Sequence, residues 1–366
     1  MYLYIFGALG YFSQFEPSDR NLRLATGLAR EDLRIALQQT QGSQEPERYL
    51  ETYRNARLSL LGVKYAPPPI FNEIAGLVDL VAAIDDLKFG FSEVARSLGL
   101  PFPKGWLLAG VPSTGKTYSA KVIASVLGYP MLSLEIDKIK TGGLPAMARV
   151  LEIAELCAPC VFYVDEMEKL FTREDKPLLS LLLTWLQDKD FSVFVIGTLN
   201  RIEDLPVEAT RAGRFDRIFE VSSPNNNSRL RLFFLFLKRF DGRFGGKNLI
   251  FDPDNSEFDE RHIVFSLLEW QWLVDETAEF VGAEIEQIVI NTIMRVKRRD
   301  INGEITFQDL LESAQFFKSM FKRNMKQIVA IKNSIEGLAD PSDSSKVSIL
   351  PHREIDLYAP IHTLTN

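Results

Sequence analysis

The chain has 366 residues, of which 46% are hydrophobic and 25% are charged, an ordinary composition for a folded protein with two or three domains. Its formal net charge is -7, so the surface as a whole repels phosphate backbones, and bulk nucleic-acid binding is not indicated. The apolar start, residues 1–12, is too short to span a bilayer and lacks the flanks of a cleaved signal. We therefore expect no membrane insertion and a reducing compartment.

The first segment, residues 1–66, is predicted to be helical. Apolar residues recur at helical spacing over 30–39 and 47–61, and the turn-forming pair Gly42-Ser43 separates the two stretches. Three consecutive prolines, Pro67 to Pro69, follow as a stiff linker and mark a domain boundary. This segment is the natural place for a partner to dock, although nothing in it identifies the partner.

Residues 67–224 alternate short apolar strands with helical stretches. This alternation predicts an α/β domain in which a parallel sheet carries helices on both faces. The predicted strands are Trp106–Ala109, Met131–Glu135, Val161–Val164, Val193–Gly197 and Ile218–Val221.

Beyond residue 224 the pattern changes to helices only. Predicted helices cover 230–240, 264–279, 283–299 and about 306–335, and together they form an all-α lid domain, 225–338. The remaining tail, 339–366, is rich in Ser, Asp and Pro, so we expect it to be loosely ordered.

Two cysteines, Cys157 and Cys160, stand in a Cys-x-x-Cys arrangement. A redox pair normally follows a strand and begins a helix, whose N-terminus lowers the thiol pKa. Here a predicted helix ends at the cysteines and a strand begins. This order favours two small apolar fillers over redox chemistry.

The strongest motif is a Walker A phosphate loop, in which Gly110–Thr117 reads G-V-P-S-T-G-K-T. It follows a predicted strand and opens a helix, so backbone N–H groups and the helix dipole converge on a triphosphate. Lys116 reaches the β- and γ-phosphates, and the Thr117 hydroxyl is a hard oxygen ligand for Mg²⁺. The sequence therefore predicts a P-loop NTPase fold that binds ATP and Mg²⁺.

An acidic pair, Asp165-Glu166, follows the apolar strand 161–164. Ligands of open α/β sheets bind at the carboxyl ends of the strands, so both carboxylates are expected at the phosphate site. Asp165 is assigned to Mg²⁺, either as a direct ligand or by holding a group that is one, and Glu166 is assigned to polarising the attacking water.

Two further blocks complete the predicted catalytic set. Asn200 ends the next apolar strand, from which it can reach the attacking water or the γ-phosphate. Arg211 and Arg214 offer guanidinium forks that match phosphate oxygens. An arginine finger of this kind contributes about 10³–10⁵ in rate.

Together these residues resemble the AAA+ family of ATPases, in its AAA subgroup. The segment 103–117, the acidic pair and residues 200–216 match its three blocks in order and spacing, and the resemblance runs from about 71 to 289. Segments 71–77, 158–161, 183–187 and 282–287 look like one branch. That branch comprises ATPases of cyanobacteria and algal plastids named after hypothetical chloroplast reading frame forty-six, which implies a bacterial cytoplasm or a plastid stroma.

The resemblance implies a hexameric ring with ATP between neighbouring subunits, where Arg211 and Arg214 act in trans on the next subunit. It also implies an adenine contact at Ile74 and Gly76 and a ribose-side turn of the lid at Gly282 and Ala283. The nucleotide-binding residues expected in full are Ile74, Gly76, Pro112, Ser113, Thr114, Gly115, Lys116, Thr117, Tyr118, Gly282 and Ala283.

The chain departs from the family pattern in several places. Ser113 replaces a glycine, which is tolerable if φ stays negative there, and Glu168 replaces an Asp. Leu199 replaces a Thr, and Ala212 replaces a Pro. The predicted axial loop lies within 131–152 and contains no aromatic residue, so we expect local remodelling of a partner rather than processive threading.

Three functions stay open at this point. The first is a ring ATPase that remodels a protein partner of unknown identity. The second is a nucleic-acid-linked switch, which the lid cations Arg295, Lys297, Arg298 and Arg299 would serve, although such a cluster also suits a solvated helix end. The third is a scaffold that binds nucleotide and turns over slowly.

Overall fold

The computed structural model describes residues 24–40, 44–71, 74–244 and 264–344. These residues form two compact units. The first contains the described residues up to Ser222 together with 324–343, and the second contains those from Ser223 to Arg323. The predictions for 1–23 and 345–366 fall outside the described residues.

A seven-stranded sheet forms the centre of the first unit, in the order β1-β3-β4-β5-β2-β6-β7. All its pairings are parallel except that of β1 with β3. The predicted parallel sheet is therefore confirmed. The strands are β1 Val63–Ala66, β2 Gly105–Ala109, β3 Met131–Leu134, β4 Cys160–Val164, β5 Val193–Leu199, β6 Arg217–Glu220 and β7 Asp340–Pro341.

The first unit also contains seven α-helices with assigned bounds among its described residues before Ser222. They are α1 Arg30–Gln39, α2 Pro46–Leu60, α3 Val78–Gly90, α4 Glu93–Ser97, α5 Lys116–Leu127, α6 Ile136–Leu156 and α7 Lys176–Asp188. Alternate strand residues point to opposite faces of the sheet, so each face has its own apolar core. Helices α3 and α5 pack on one face, and α6 and α7 pack on the other. The predicted helical layers on both faces are thereby confirmed.

Strand β1 corrects the prediction that residues 1–66 are helical throughout. The helical spacing ends with α2, and the four residues Val63–Ala66 join the sheet beside β3. Helix α2 supports this edge, since the Arg54 guanidinium lies 3.8 Å from the centre of the Tyr65 ring. A strand of four residues is too short to produce a clear period-two pattern in the sequence.

The second unit is helical, as predicted, with α8 Asn226–Leu237, α9 Leu267–Glu276, α10 Gly282–Arg299 and α11 Phe307–Phe316. Its core is rich in aromatic rings, among them Phe233, Trp270 and Phe280. Two of these helices begin with reciprocal capping boxes, formed by Ser266 with Glu269 and by Thr306 with Asp309. Capping boxes have a sequence signature, so the starts of these two helices could be predicted.

The last helix, α12 Met320–Ile335, crosses from one unit to the other. Its backbone is non-helical at Asn324, and the residues beyond belong to the first unit, where Ile335 is buried in the core. Strand β7 then pairs with β6. The predicted lid, 225–338, therefore extends further along the chain than the second unit does.

The two cysteines are free and buried, with Cys157 just after α6 and Cys160 at the start of β4. Burial raises the pKa of the Cys157 thiol to about 12 and raises the pKa of Cys160 well above its ordinary value. Protonated, buried thiols are poor nucleophiles, which supports the filler interpretation. Within the described ranges, no helix has the length and hydropathy needed to cross a membrane.

Candidate nucleotide site

The phosphate loop lies between the end of β2 and the start of α5, as the motif predicts. Gly110 approaches β6 closely, because a Cβ there would come within 2.2 Å of the Val221 carbonyl oxygen. Gly115 has φ +105° and turns the chain directly into α5. Both glycines are therefore required by the local backbone.

Ser113 differs from the expectation. It was expected to keep a negative φ, but its φ is +68°, in the left-handed region. A side chain in this conformation costs roughly 1–2 kcal/mol, because Cβ crowds the carbonyl oxygen. The prediction of a negative φ at Ser113 is therefore wrong. The loop contains a strained serine, and that residue is exposed.

The Lys116 side chain is only 8% exposed and runs back along the loop. Its Nζ donates to the carbonyl oxygens of Gly110 and Val111, both at 2.8 Å. Burial lowers the pKa of Lys116 to about 8, while the nearby carboxylates of Glu168, Asp165 and Glu166 oppose that shift. Because burial disfavours the charged form, an anionic phosphate beside Nζ would compensate for the lost hydration.

Asp165 and Thr117 are brought together by a third residue, Tyr163. The phenolic oxygen lies 3.1 Å from Thr117 Oγ1 and 2.8 Å from Asp165 Oδ1. Thr198 Oγ1 also donates to Asp165 Oδ1, at 2.6 Å. Burial raises the pKa of Tyr163, so this phenol stays protonated near neutral pH.

Sequence reasoning missed Tyr163 and Thr198, since both residue types are common in buried strands. The available signal was their position. Each carries a hydroxyl within two residues of the carboxyl end of a strand, which is the edge that binds ligands.

The residues at this edge fit Mg²⁺. The ion prefers oxygen ligands and is usually held by one or two carboxylates together with substrate phosphates. Asp165 and Thr117 supply such oxygens, and both contact the same phenol. Across the described part of the chain, no group of three or more His, Cys, Asp or Glu could hold a metal, so a dedicated all-protein cage is not found there.

Glu166 lies beside Asp165 but in a different environment. Its backbone has φ +48°, and its N–H donates to Thr198 Oγ1 at 2.8 Å. Its carboxylate forms an ion pair with Lys169, 2.7 Å from Oε2 to Nζ, in which both side chains are 46% exposed. The group assigned to polarise water is thus at the surface and bonded to a cation.

Asn200 is held by Glu168, one of the departures from the family pattern. Glu168 Oε1 accepts from the Asn200 side-chain amide at 2.8 Å and from its backbone N–H at 3.2 Å. The longer Glu side chain therefore ties the end of β5 to the segment that follows Glu166. The structure brings Asn200 to the predicted edge, and its contact with a water or phosphate stays a prediction.

Arg211 and Arg214 follow the short 3₁₀ helix Val207–Thr210 and precede β6. Arg211 is exposed, while Arg214 is partly buried and donates from Nη1 to the Glu208 carbonyl oxygen. Both belong to the first unit. Their action on a neighbouring subunit stays a prediction.

The residues assigned to adenine and ribose fall in both units. Ile74 and Tyr118 pack against the same core face of the first unit, and the Phe71 ring lies 5.2 Å from that of Tyr118. Gly282 and Ala283 begin α10 in the second unit. Their contacts with a nucleotide remain predicted.

Two of the four lid cations, Arg295 and Arg299, are engaged by acidic neighbours. Arg295 pairs with Glu312 at 3.0 Å, and Arg299 pairs with Asp309 at 3.0 Å. The Lys297 ammonium donates to the Gly303 carbonyl oxygen. These contacts favour a helix end solvated and paired within the unit over a nucleic-acid surface.

The phosphate loop lies between β2 and α5, the acidic pair follows β4, and the two arginines precede β6, in the order that the sequence analysis describes. Residues 106–223 match the model of the ATPase family associated with various cellular activities (AAA). This match agrees with the predicted resemblance to the AAA ATPases.

The chain is similar to the uncharacterized AAA domain-containing protein ycf46 of Guillardia theta, with 30% identity over 297 residues. That match covers 78% of this chain and 53% of the relative, so the chain spans about half the length of that protein. The proteasome-activating nucleotidase of Saccharolobus solfataricus is 29% identical over 277 residues, covering 70% of this chain and 64% of the relative.

Among solved structures, the FIGL-1 AAA domain in complex with ADP matches with a TM-score of 0.56 at 18% identity. The match covers 78% of this chain and 96% of that domain. This likeness concerns the fold, and it agrees with the predicted sheet and helical lid.

Proposed function

We propose that this chain hydrolyses ATP with Mg²⁺ as one subunit of a ring and uses the cycle to remodel a protein partner. One observation carries the proposal. The buried Lys116 ammonium, the Thr117 hydroxyl and the Asp165 carboxylate converge at the carboxyl edge of one sheet, beside a loop of backbone N–H groups.

The residues divide the work in the following way. Lys116 and the loop amides bind the phosphates, and Thr117 and Asp165 would hold Mg²⁺. When bound, Mg²⁺ neutralises charge on the phosphate oxygens. Glu166 accepts a proton from the attacking water, with Asn200 beside it, after its carboxylate leaves Lys169.

In this proposal, the arginine finger that completes each ATP site comes from the neighbouring subunit. Arg214 already has one guanidinium nitrogen on the Glu208 carbonyl oxygen, which orients the group, and Arg211 is exposed. A guanidinium brought to the γ-phosphate of the next subunit would stabilise charge in the transition state. Self-association follows from this requirement, and the resemblance to the AAA family implies a hexamer.

A protein partner is supported by the name of one relative, which activates a proteasome. The range predicted to hold the axial loop, 131–152, covers β3 and most of α6, where Gly143 breaks the helical backbone with φ +65° and Leu144 is exposed. Without an aromatic ring there, we favour local remodelling over threading. The compartment is proposed to be a bacterial cytoplasm or a plastid stroma.

A second candidate is a scaffold that binds nucleotide and turns over slowly. The ion pair between Glu166 and Lys169 favours it, because a carboxylate bonded to a cation is not free to meet an attacking water. The nucleic-acid switch has less support, since Arg295 and Arg299 are paired within the lid.

A mixing experiment tests the ring and the finger together. Glu166→Gln subunits retain the arginines, and Arg211→Ala/Arg214→Ala subunits retain the glutamate. We expect each variant alone to be inactive and the mixture to recover part of the wild-type ATPase rate, because one subunit supplies what its neighbour lacks.

The matched control mixes Glu166→Gln with Arg239→Ala, which removes an exposed arginine paired with Glu286. The Arg239→Ala protein should be active by itself. No recovery in the first mixture, with wild-type turnover independent of protein concentration, would contradict a trans finger. Slow turnover that does not respond to any protein concentration would favour the scaffold.

A further inference from the structure

Hydroxyl groups of Tyr163 and Thr198 form a hydrogen-bond network with Thr117 and Asp165, the two residues proposed to hold Mg²⁺. Tyr163 and Asp165 are two positions apart on the same chain segment, so their side chains emerge on the same side. Helix α5, which begins at Lys116, packs on that face of the sheet and brings Thr117 to the phenol. Thr198, at the end of the adjacent strand β5, closes the network from the other side.

Counting protons fixes the direction of the bonds. The Tyr163 phenol has one proton, yet its oxygen is within bonding distance of both Thr117 Oγ1 and Asp165 Oδ1. An ionised carboxylate can only accept, and a bond to it is the stronger one, so the phenol donates to Asp165. The Thr117 hydroxyl must then donate its own proton to the phenol.

This arrangement leaves the lone pairs of Thr117 available to a ligand, because its proton is used on Tyr163. Asp165 is treated in a similar way. Both of its hydroxyl donors, Tyr163 and Thr198, converge on Oδ1, which leaves Oδ2 as the oxygen for a ligand among the bonds of the described residues. The two oxygens presented outward are therefore acceptors, as a cation requires.

We infer that Tyr163 and Thr198 are positioning residues that orient Thr117 and Asp165 for a divalent cation bound with the nucleotide. The inference rests on the proposed function and adds to it two residues that do not touch the nucleotide. Groups that hydrogen-bond metal ligands typically contribute about 10–100-fold to metal affinity. Their effect should therefore depend on the metal and leave metal-free nucleotide binding unchanged.

The test is a binding titration with a fluorescent, non-hydrolysable ATP analogue, first in EDTA and then with increasing Mg²⁺. Tyr163→Phe keeps the ring in the core and removes only the hydroxyl. We expect unchanged affinity in EDTA and a half-saturating Mg²⁺ concentration raised by about 10-fold or more. Thr198→Val should act in the same direction, and the double variant should be less than additive because both residues support one carboxylate.

Tyr129→Phe is the matched control, since Tyr129 is partly buried on the same face and contacts Phe91 rather than the site. It should leave both titrations unchanged. Tyr163→Phe with a wild-type response to Mg²⁺, or with the same loss in EDTA and in Mg²⁺, would overturn the inference while the proposed function stands. A wild-type chain that binds no nucleotide in either medium would overturn both.

Discussion

Asp165 and Glu166 are adjacent in the chain, yet the protein holds them in opposite ways. Asp165 accepts two hydroxyl bonds, from Tyr163 and Thr198, at the end of a fully buried strand. Glu166 stands in a left-handed turn with its carboxylate on Lys169, and both acidic residues reach the surface. One carboxylate is fixed by neutral donors, and the other is paired with a surface cation.

In the proposed function, Asp165 then belongs to a fixed side of the site that would hold the metal, and Glu166 belongs to a movable side that would activate water. Neutral hydroxyls stabilise the Asp165 carboxylate without cancelling its charge, so its attraction for a cation is kept. An exposed ion pair contributes only about 0–1 kcal/mol, so thermal motion can open the contact between Glu166 and Lys169. We infer that binding is preorganised, whereas the group for hydrolysis must be released.

The largest expected effect comes from Glu166→Gln, which removes the base but keeps the shape of the side chain. Turnover should fall by about 10²–10⁴-fold, the usual contribution of general base catalysis. Affinity for Mg²⁺ and ATP should stay near that of the wild type, because Asp165 and Thr117 are unchanged. Single-turnover hydrolysis and analogue binding measure the two effects separately.

Glu174→Gln, at an exposed glutamate in the same region, is the control and should keep full activity. If Glu166→Gln turns over within a few-fold of the wild type, Glu166 is not the base that activates the attacking water.

Lys169→Met sharpens the comparison by freeing Glu166. Because the ion pair contributes at most about 1 kcal/mol, we expect turnover to rise by no more than about fivefold. Steady-state ATPase rates at two salt concentrations measure this, and salt should reduce the difference between variant and wild type. Lys64→Met, which breaks an exposed ion pair with Glu135, is the control.

A fall in turnover after Lys169→Met would mean that Lys169 assists hydrolysis rather than restraining it. In that case the ion pair with Lys169 orients Glu166 for hydrolysis, and the Glu166 carboxylate does not need to be released.

Ser113→Gly tests the strain in the loop on the fixed side. Glycine removes a left-handed penalty of roughly 1–2 kcal/mol but adds freedom to the unfolded chain, which offsets up to about 1 kcal/mol. The free energy of unfolding should therefore rise by about 0.5–1 kcal/mol, as measured by denaturant titration without nucleotide. Ser113→Ala, which keeps Cβ, should give no such gain, and an equal gain in both would rule out backbone strain as the cause.

A pH-dependent effect concerns a second buried lysine, Lys189, whose ammonium donates to the Pro103 carbonyl oxygen just before β2. Burial lowers the pKa of Lys189 to about 7 in the folded protein, from an ordinary value of 10.5. Between these values the unfolded chain binds the proton and the folded chain does not. The free energy of unfolding should therefore rise with pH above about 7.

Lys189→Met should flatten this rise between pH 7 and 9, although Lys116, whose pKa is lowered in the same direction, still contributes. Denaturant midpoints at several pH values measure the slope. Lys121→Met, at an exposed lysine of α5, is the control. An unchanged slope in Lys189→Met would mean that this lysine stays charged in the fold.

Much of the fold was predictable because its signals are local. Buried strands such as Val193–Leu199 read as apolar runs, and the loop before Lys116 has a spacing that the backbone geometry demands. The edge strand Val63–Ala66 was missed because four residues show little periodicity. The passage of the helix Met320–Ile335 from the second unit to the first was not predicted, because the kink at Asn324 leaves no mark in the residue pattern.

The positions of Lys116 and Asp165 at the carboxyl edge of the sheet were predictable, because each belongs to a motif with a fixed place in the fold, while their roles stay predictions. It was not predictable where a common strand residue acquires a polar role from its neighbours. Tyr163 reads as a core residue until the fold brings Thr117 within 3.1 Å of its oxygen. The φ of Ser113 likewise depends on how the loop closes.

The central claim is that the loop around Lys116 binds a triphosphate. Equilibrium binding of a fluorescent ATP analogue, compared among wild type, Lys116→Ala and the exposed-lysine control Lys121→Ala, tests it directly. In Lys116→Ala the analogue loses two charge-assisted hydrogen bonds, one to each of its β- and γ-phosphates, and each contributes about 1.5 kcal/mol. We therefore expect this variant alone to bind the analogue roughly 100-fold more weakly than the wild type. Equal affinity in all three proteins would contradict the account.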